Sequence, residues 1–258
     1  MRLLLIGCLV LALAGCGGGA SGNSVEARSA GADCGNLKGI ASLPPPSFVP
    51  TAGNWVVMGS SSAQGKGAAL REDTWAARLD SAFGGYATVH NIAAVGQTTY
   101  HAMSSSCTAA SDRPAPVAGH NFDAAISFAP ALVIISFPSN DAALGWDVEE
   151  SVANILSLRG LFAQANVPTI VLSSQPRALP AVNKRALLEF NLRLAPELGP
   201  CFVDVYTPLV DGAGMLDARY DSGDGVHPNS DGHQVIFEAI ERTLESGRCV
   251  TVQGYSPR

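Results

Sequence analysis

Apolar residues fall along this chain in short unbroken runs, separated by segments where apolar and polar positions recur at helical spacing. Trp55-Val56-Val57-Met58 is an apolar run closed by Gly59, which predicts a buried strand. Residues 86–91 predict a second strand, and Leu132 to Phe137, apolar at nearly every position, a third. Thr169-Ile170-Val171-Leu172 predicts a fourth, and Phe202 to Tyr206 a fifth. Helical spacing appears between them, over 74–83, 147–164, 184–194 and 234–244. Strands apolar on both faces and alternating with helices imply a parallel sheet covered on both sides. In such sheets, sites form in loops at the carboxyl ends of the strands, and the polar clusters of this sequence sit there.

The chain's two ends of the scale are its first fifty residues and the rest. Arg2 precedes an apolar run from Leu3 to Ala14, a secretory-signal pattern too short to span a bilayer, which needs roughly 20 apolar residues. Its end, Leu13-Ala14-Gly15-Cys16, resembles the bacterial lipobox. That resemblance implies cleavage before Cys16, lipidation of its thiol and export to a periplasmic or outer-membrane location; a plain secretory signal is the alternative. The expected organisation is a signal over 1–15, a lipidated Cys and Gly/Ser/Pro-rich tether over 16–50, and one folded domain over 51–258. With 47% hydrophobic and 15% charged residues the chain has globular composition. A net charge of -6 and no basic stripe argue against a nucleic-acid partner.

Six cysteines are present. Cys8 leaves with the signal and Cys16 carries lipid, so Cys34, Cys107, Cys201 and Cys249 remain for two disulfides in an oxidising compartment. None lie at C-x-x-C spacing, so no metal site is expected. The last strand starts after Cys201 and runs toward the site, and the last helix returns from it to Cys249. This predicts Cys201–Cys249, leaving Cys34–Cys107 by elimination.

Four segments carry candidate chemistry. Gly59-Ser60-Ser61-Ser62-Ala63-Gln64-Gly65 follows the first strand and can present a serine hydroxyl at the sheet rim. Five residues between its glycines, and Gly67 after Lys66, exclude a phosphate-binding P-loop; Ala63 excludes the Gly-x-Ser-x-Gly elbow. Asn91 to Gly96 ends the second strand, and Pro138-Ser139-Asn140-Asp141 follows the third, where a neutral amide can donate to an oxyanion. Asp224-Gly225-Val226-His227-Pro228-Asn229 precedes the last helix, and its spacing lets the Asp224 carboxylate fix the His227 tautomer. His90, His101 and His120 have no partner at metal spacing; His90, inside a strand, is expected to be a satisfied core or edge residue. Asp221 and Asp224 do not fit an EF-hand, and Asp204 is expected to hold nearby loops.

Taken in order, these segments resemble the blocks of the SGNH, or GDSL-type, serine hydrolases over residues 54–246, with Ser60 at the usual Asp and Pro138 at the usual Gly. The resemblance implies a single three-layer α/β/α domain with a parallel, flavodoxin-like five-stranded sheet. It implies Ser61 as nucleophile, His227 as base oriented by Asp224, and an oxyanion hole from the Ser61 and Gly96 N–H groups and the Asn140 amide. No cofactor is expected. The expected substrate is a small acyl ester, O-acetyl or short-chain, of a small molecule or glycan. Transfer to a glycan acceptor and a non-catalytic envelope lipoprotein are the rival readings.

Overall fold

The computed structural model describes residues 32–33, 44–49, 52–137 and 139–255. Five strands pair in parallel: β1 (Gly53–Gly59), β2 (Ala87–Asn91), β3 (Pro130–Ser136), β4 (Thr169–Leu172) and β5 (Phe202–Val203), in the order β2-β1-β3-β4-β5. This is the expected α/β architecture with a flavodoxin-like strand order. Alternate side chains of each central strand go to opposite faces. Trp55 and Val57 of β1 and Leu132 and Ile134 of β3 join one core, while Val56, Met58, Val133 and Ile135 join the other. That is why these strands read as continuous apolar runs.

Helix α1 (Ser61–Gln64) is one turn; α2 (Trp75–Phe83), α3 (Phe122–Ser127), α4 (Ser139–Ala143), α5 (Val148–Gln164), α6 (Ala181–Leu198) and α7 (Ser230–Glu245) complete the layers. α2 and α7 cover one face with Leu79, Phe83, Ile236 and Ile240, and α5 and α6 cover the other with Ile155, Leu158, Phe162, Phe190 and Leu194. Burying each such side chain fully contributes roughly 1.5–3 kcal/mol. Helix starts are set by side-chain caps: Thr74 accepts from the Ala77 N–H, Asp147 from Glu149 and Asn229 from Gly232. The last of these starts α7 four residues before the expected Gln234.

Three expectations differ from what is observed. β5 ends at Val203, because the Asp204 carboxylate takes the N–H groups of Tyr206 and Thr207 and turns the chain out of the sheet. Asp204 thereby holds a loop, as expected. The short helices α3 and α4 were not expected. The boundary placed at residue 50 falls inside a paired unit: Phe48–Val49 pairs in parallel with Thr251–Val252, and Val49 is fully buried in the main core. A second small pairing joins Ala32–Asp33 to Cys107–Thr108. The signal and lipidation site at Cys16 lie outside the described residues. No helix among the described residues is long and apolar enough to cross a membrane.

Cys201 and Cys249 form a disulfide with Cα atoms 4.7 Å apart, as the strand-and-helix geometry requires. Cys107 is also disulfide-bonded; Cys34, its expected partner, lies outside the described residues. A crosslink over a sequence separation of 48 constrains the unfolded chain by about 4 kcal/mol in the chain-entropy account. A Cys201→Ala/Cys249→Ala protein should therefore lose about 3–4 kcal/mol in urea unfolding, and an unchanged midpoint would show that the link constrains nothing.

Candidate active site

The site is assembled from loops at the carboxyl ends of β1, β2, β3 and β4, together with the segment before α7. β1 ends at Gly59, where a side chain has no room: an added Cβ would lie 2.5 Å from the Ala63 Cβ and 2.6 Å from the Ser136 carbonyl of β3. The chain then turns at once into α1, which closes at Gly65 with φ +108°. Ser61 opens this turn, so its own N–H belongs to the first helical positions, which have no intrahelical acceptor.

His227 is held against α1 by a close backbone approach. Gly67, at φ +99°, has no space for a Cβ, which would fall within 2.2 Å of the Pro228 carbonyl and 2.9 Å of the His227 Cβ. The His227 loop is fixed on its other side too. The Asp221 carboxylate takes the Gly223 and Gly225 N–H groups, the Ala178 N–H donates to the Gly225 carbonyl, and Asn229 donates to the Arg219 and Asp221 carbonyls. His233, one turn into α7, is fully buried; its Nδ1 accepts from the Trp75 N–H and its Nε2 donates to the Lys66 carbonyl. Burial pushes its pKa down to about 4, so it is a neutral clamp between α2, α7 and the loop after α1.

These constraints place three side chains in series. The Ser61 hydroxyl lies 2.9 Å from His227 Nε2, and His227 Nδ1 lies 2.6 Å from Asp224 Oδ2. With Nδ1–H donating to the carboxylate, Nε2 presents its lone pair to the serine. Ser61 and His227 are both buried, whereas the Asp224 side chain is 45% exposed. Burial pushes the Asp224 carboxyl up, but the His227 ring and the His227 and Val226 N–H groups outweigh it and hold the group well below the usual carboxylate range. It is therefore a fixed negative charge at any physiological pH.

The expected donors are carried by the loop after β2, which holds Gly96, and by α4, which holds Asn140. The loop after β2 is pinned by the Asn91 amide on the Ala63 carbonyl (2.7 Å) and by the Ala94 N–H on the Gly59 carbonyl (3.2 Å). Gly96 sits there at φ +78°, a conformation that favours glycine. The Asn140 Nδ2 donates to the Gln97 carbonyl at 2.8 Å, which ties α4 to the residue after Gly96. An amide nitrogen has two protons, so one remains for another acceptor. Ser60 is buried at the α1 N-cap without a side-chain capping bond; Pro138 lies outside the described residues. Ser62 is not part of the series, since its hydroxyl accepts from the Gln175 amide at 2.7 Å. His90 bonds Asn54 and stacks on Phe128, the satisfied edge residue expected of it. Among the described residues, no His, Cys, Asp or Glu cluster would hold a metal ion.

Two residues at the site have roles that the sequence analysis did not assign. Asp141 is fully buried, and its carboxylate accepts from the Thr99 N–H (3.1 Å), the Thr99 hydroxyl (2.5 Å) and the Ser151 hydroxyl (3.2 Å). It thus anchors the Gly96–Thr99 segment to α4. Arg177, in the loop after β4, donates through Nη1 to the Ser139 hydroxyl at 2.9 Å and to Asn140 Oδ1 at 3.2 Å. An arginine placed at a strand's carboxyl end was the available sign of it.

The sequence matches the family described as GDSL-like Lipase/Acylhydrolase over residues 57–235. The chain belongs to this family and is a serine ester hydrolase by class. No curated protein matches it in sequence. Solved structures share its fold. A Bacteroides fragilis protein described as an acylhydrolase is 24% identical, with a TM-score of 0.58, covering 84% of this chain and 99% of that one. A GDSL-like lipase from Bacteroides thetaiotaomicron is 21% identical at TM-score 0.56, covering 75% and 88%. TesA is 20% identical at TM-score 0.54, covering 75% and 99%.

Proposed function

We propose that the chain hydrolyses small acyl esters, O-acetyl or short-chain, through an acyl-enzyme on Ser61. The reading is carried by the unbroken series from the Ser61 hydroxyl through the His227 ring to the Asp224 carboxylate. His227 Nε2 takes the hydroxyl proton as Ser61 Oγ attacks the ester carbonyl. Asp224 fixes the ring and stabilises the imidazolium that forms. The oxyanion is held by the Ser61 and Gly96 N–H groups and the remaining Asn140 amide proton. The imidazolium then protonates the departing alcohol, and water repeats the sequence to release the acid. The exposed position of Val95 and Gly96 favours an open site and a short acyl group.

The substrate is an acyl ester of a small molecule or a glycan, and the protein is exported and anchored to a membrane by lipid on Cys16. The lipobox-like sequence before Cys16 supports the anchor. Metabolic labelling with a fatty-acid analogue tests it, and a Cys16→Ala protein that still labels would exclude it.

A panel of p-nitrophenyl esters beside acetylated polysaccharides tests the substrate class; hydrolysis rising with acyl length beyond about eight carbons would overturn the short-chain reading. Asn140→Ala should lower kcat by about 10²–10³ with little change in KM, as for loss of one oxyanion donor. An unchanged kcat would remove Asn140 from the site.

A further inference from the structure

An amide side chain has nearly the same shape in its two orientations, and only one of them presents N–H groups to an oxyanion. Two contacts decide the orientation of Asn140. Its Nδ2 end faces the Gln97 carbonyl at 2.8 Å, and its Oδ1 end faces Arg177 Nη1 at 3.2 Å. A guanidinium has five N–H donors and no acceptor. Turning the amide over would set N–H against N–H at Arg177 and carbonyl against carbonyl at Gln97. Both ends oppose the flip, but only Arg177 does so with a charge.

We propose that Arg177 is the positioning residue for Asn140: its guanidinium fixes the amide orientation and polarises it, so that the second Nδ2 proton is presented to the oxyanion. This rests on the acyl-enzyme reading above. Three further observations support it. The same Nη1 also bonds the Ser139 hydroxyl and carbonyl, so the cation grips both first residues of α4. The guanidinium is held in an unfavourable place, with its Nε buried and unpartnered, and burial lowers its pKa. Desolvating a charge and stranding a donor are costly, and a neutral side chain would pack there without that cost. Finally, the loop that carries Arg177 is docked on the His227 loop through the Ala178 N–H and the Gly225 carbonyl at 2.6 Å, which links the donor side of the site to the base side. A positive charge on the carbonyl end of an amide strengthens the N–H donors at its other end.

The test is a double-mutant cycle between Arg177 and Asn140, read as kcat and KM on p-nitrophenyl acetate. Arg177→Met should lower kcat about 10-fold, less than Asn140→Ala, with KM within about 2-fold. Arg177→Lys, which keeps a cationic donor, should recover most of that loss. In an Asn140→Ala background, Arg177→Met should cost nothing further, because the group it acts through is gone. Arg177→Gln closes the same cycle where the methionine variant melts early. An additive loss in the Asn140→Ala background, or a rise in KM with kcat unchanged, would overturn the proposal and make Arg177 a substrate-binding or purely structural group. Fluorophosphonate labelling of Ser61 separates the two levels: labelled but slow Arg177 variants test the positioning role, whereas a wild-type protein that neither labels nor turns over refutes the acyl-enzyme reading itself.

Discussion

Ser61→Ala is expected to leave a folded protein that takes no fluorophosphonate label and hydrolyses p-nitrophenyl acetate roughly 10⁴–10⁶ times more slowly than the wild type. The size follows from what the hydroxyl does. In the proposed reaction its oxygen forms the new bond, and among the described residues it bonds His227 Nε2 at 2.9 Å. Without it the imidazole has no proton to take and the hole has no tetrahedral intermediate to hold. A residual 10³–10⁴ over water is the usual remainder from donors and binding alone. Stability should change little, because the alanine keeps the buried Cβ and loses a single exchangeable bond, on the order of 1 kcal/mol. His227→Ala should be as slow as Ser61→Ala, and the double variant no slower than either, since the two act as one unit. A Ser61→Ala protein retaining more than about 1% of wild-type kcat would place the nucleophile elsewhere.

How much of this was legible in the sequence depended on whether the signal was local. β1, β3 and β4 could be read because each is apolar on both faces, as a double-sided sheet demands, whereas β2 is an edge strand with Thr88 and Asn91 exposed. β5 could not be bounded, because a side-chain turn at Asp204 overrides the β-forming run Val205-Tyr206. α3 and α4 escaped because helices of five or six residues have too few turns for a periodicity to show. α6 runs to both sides of its expected span, from Ala181 to Leu198, with Pro196 in its last turn. At the site, the pairing of Asp224 with His227 was legible from their spacing, whereas Ser61, Gly96 and Asn140 were assigned through the resemblance to the GDSL-type blocks; Ser61 lies in series with that pair. Arg177 was not legible, and Asp141 was marked only as the end of the Pro138–Asp141 segment, without a role. Their roles depend on burial and on partners 37 and 42 residues away in sequence, which no local pattern encodes.

Asp141 sets the second large effect. Removing its carboxyl with Asp141→Ala strands two buried donors at once, the Thr99 N–H and hydroxyl, and leaves the Ser151 hydroxyl only its 3.4 Å bond to the Asp147 carbonyl. At about 1–3 kcal/mol for each donor left without an acceptor, the loss should be on the order of 2–6 kcal/mol in urea unfolding. Asn154 bonds the same Thr99 hydroxyl at 2.9 Å, so the damage should spread into α5. Burial raises the Asp141 carboxyl to about 6, against the lowering effect of the Thr99 and Ser151 hydrogen bonds. In the folded protein the group therefore keeps its proton to a higher pH than in the unfolded chain, where it ionises near the ordinary 3.8. Its contribution to stability is full below about pH 4 and is lost as pH rises through about 6, by on the order of 3 kcal/mol. Asp141→Asn cannot ionise and lacks that loss, so its cost relative to wild type should be larger at pH 4.5 than at pH 7.5. The comparison between the two proteins at each pH cancels the opposite trend from Asp224, whose carboxyl is held low in both. A cost that is equal at the two pH values would mean that the buried carboxyl ionises in the fold as readily as in the unfolded chain, and that its three donors suffice to solvate the charge.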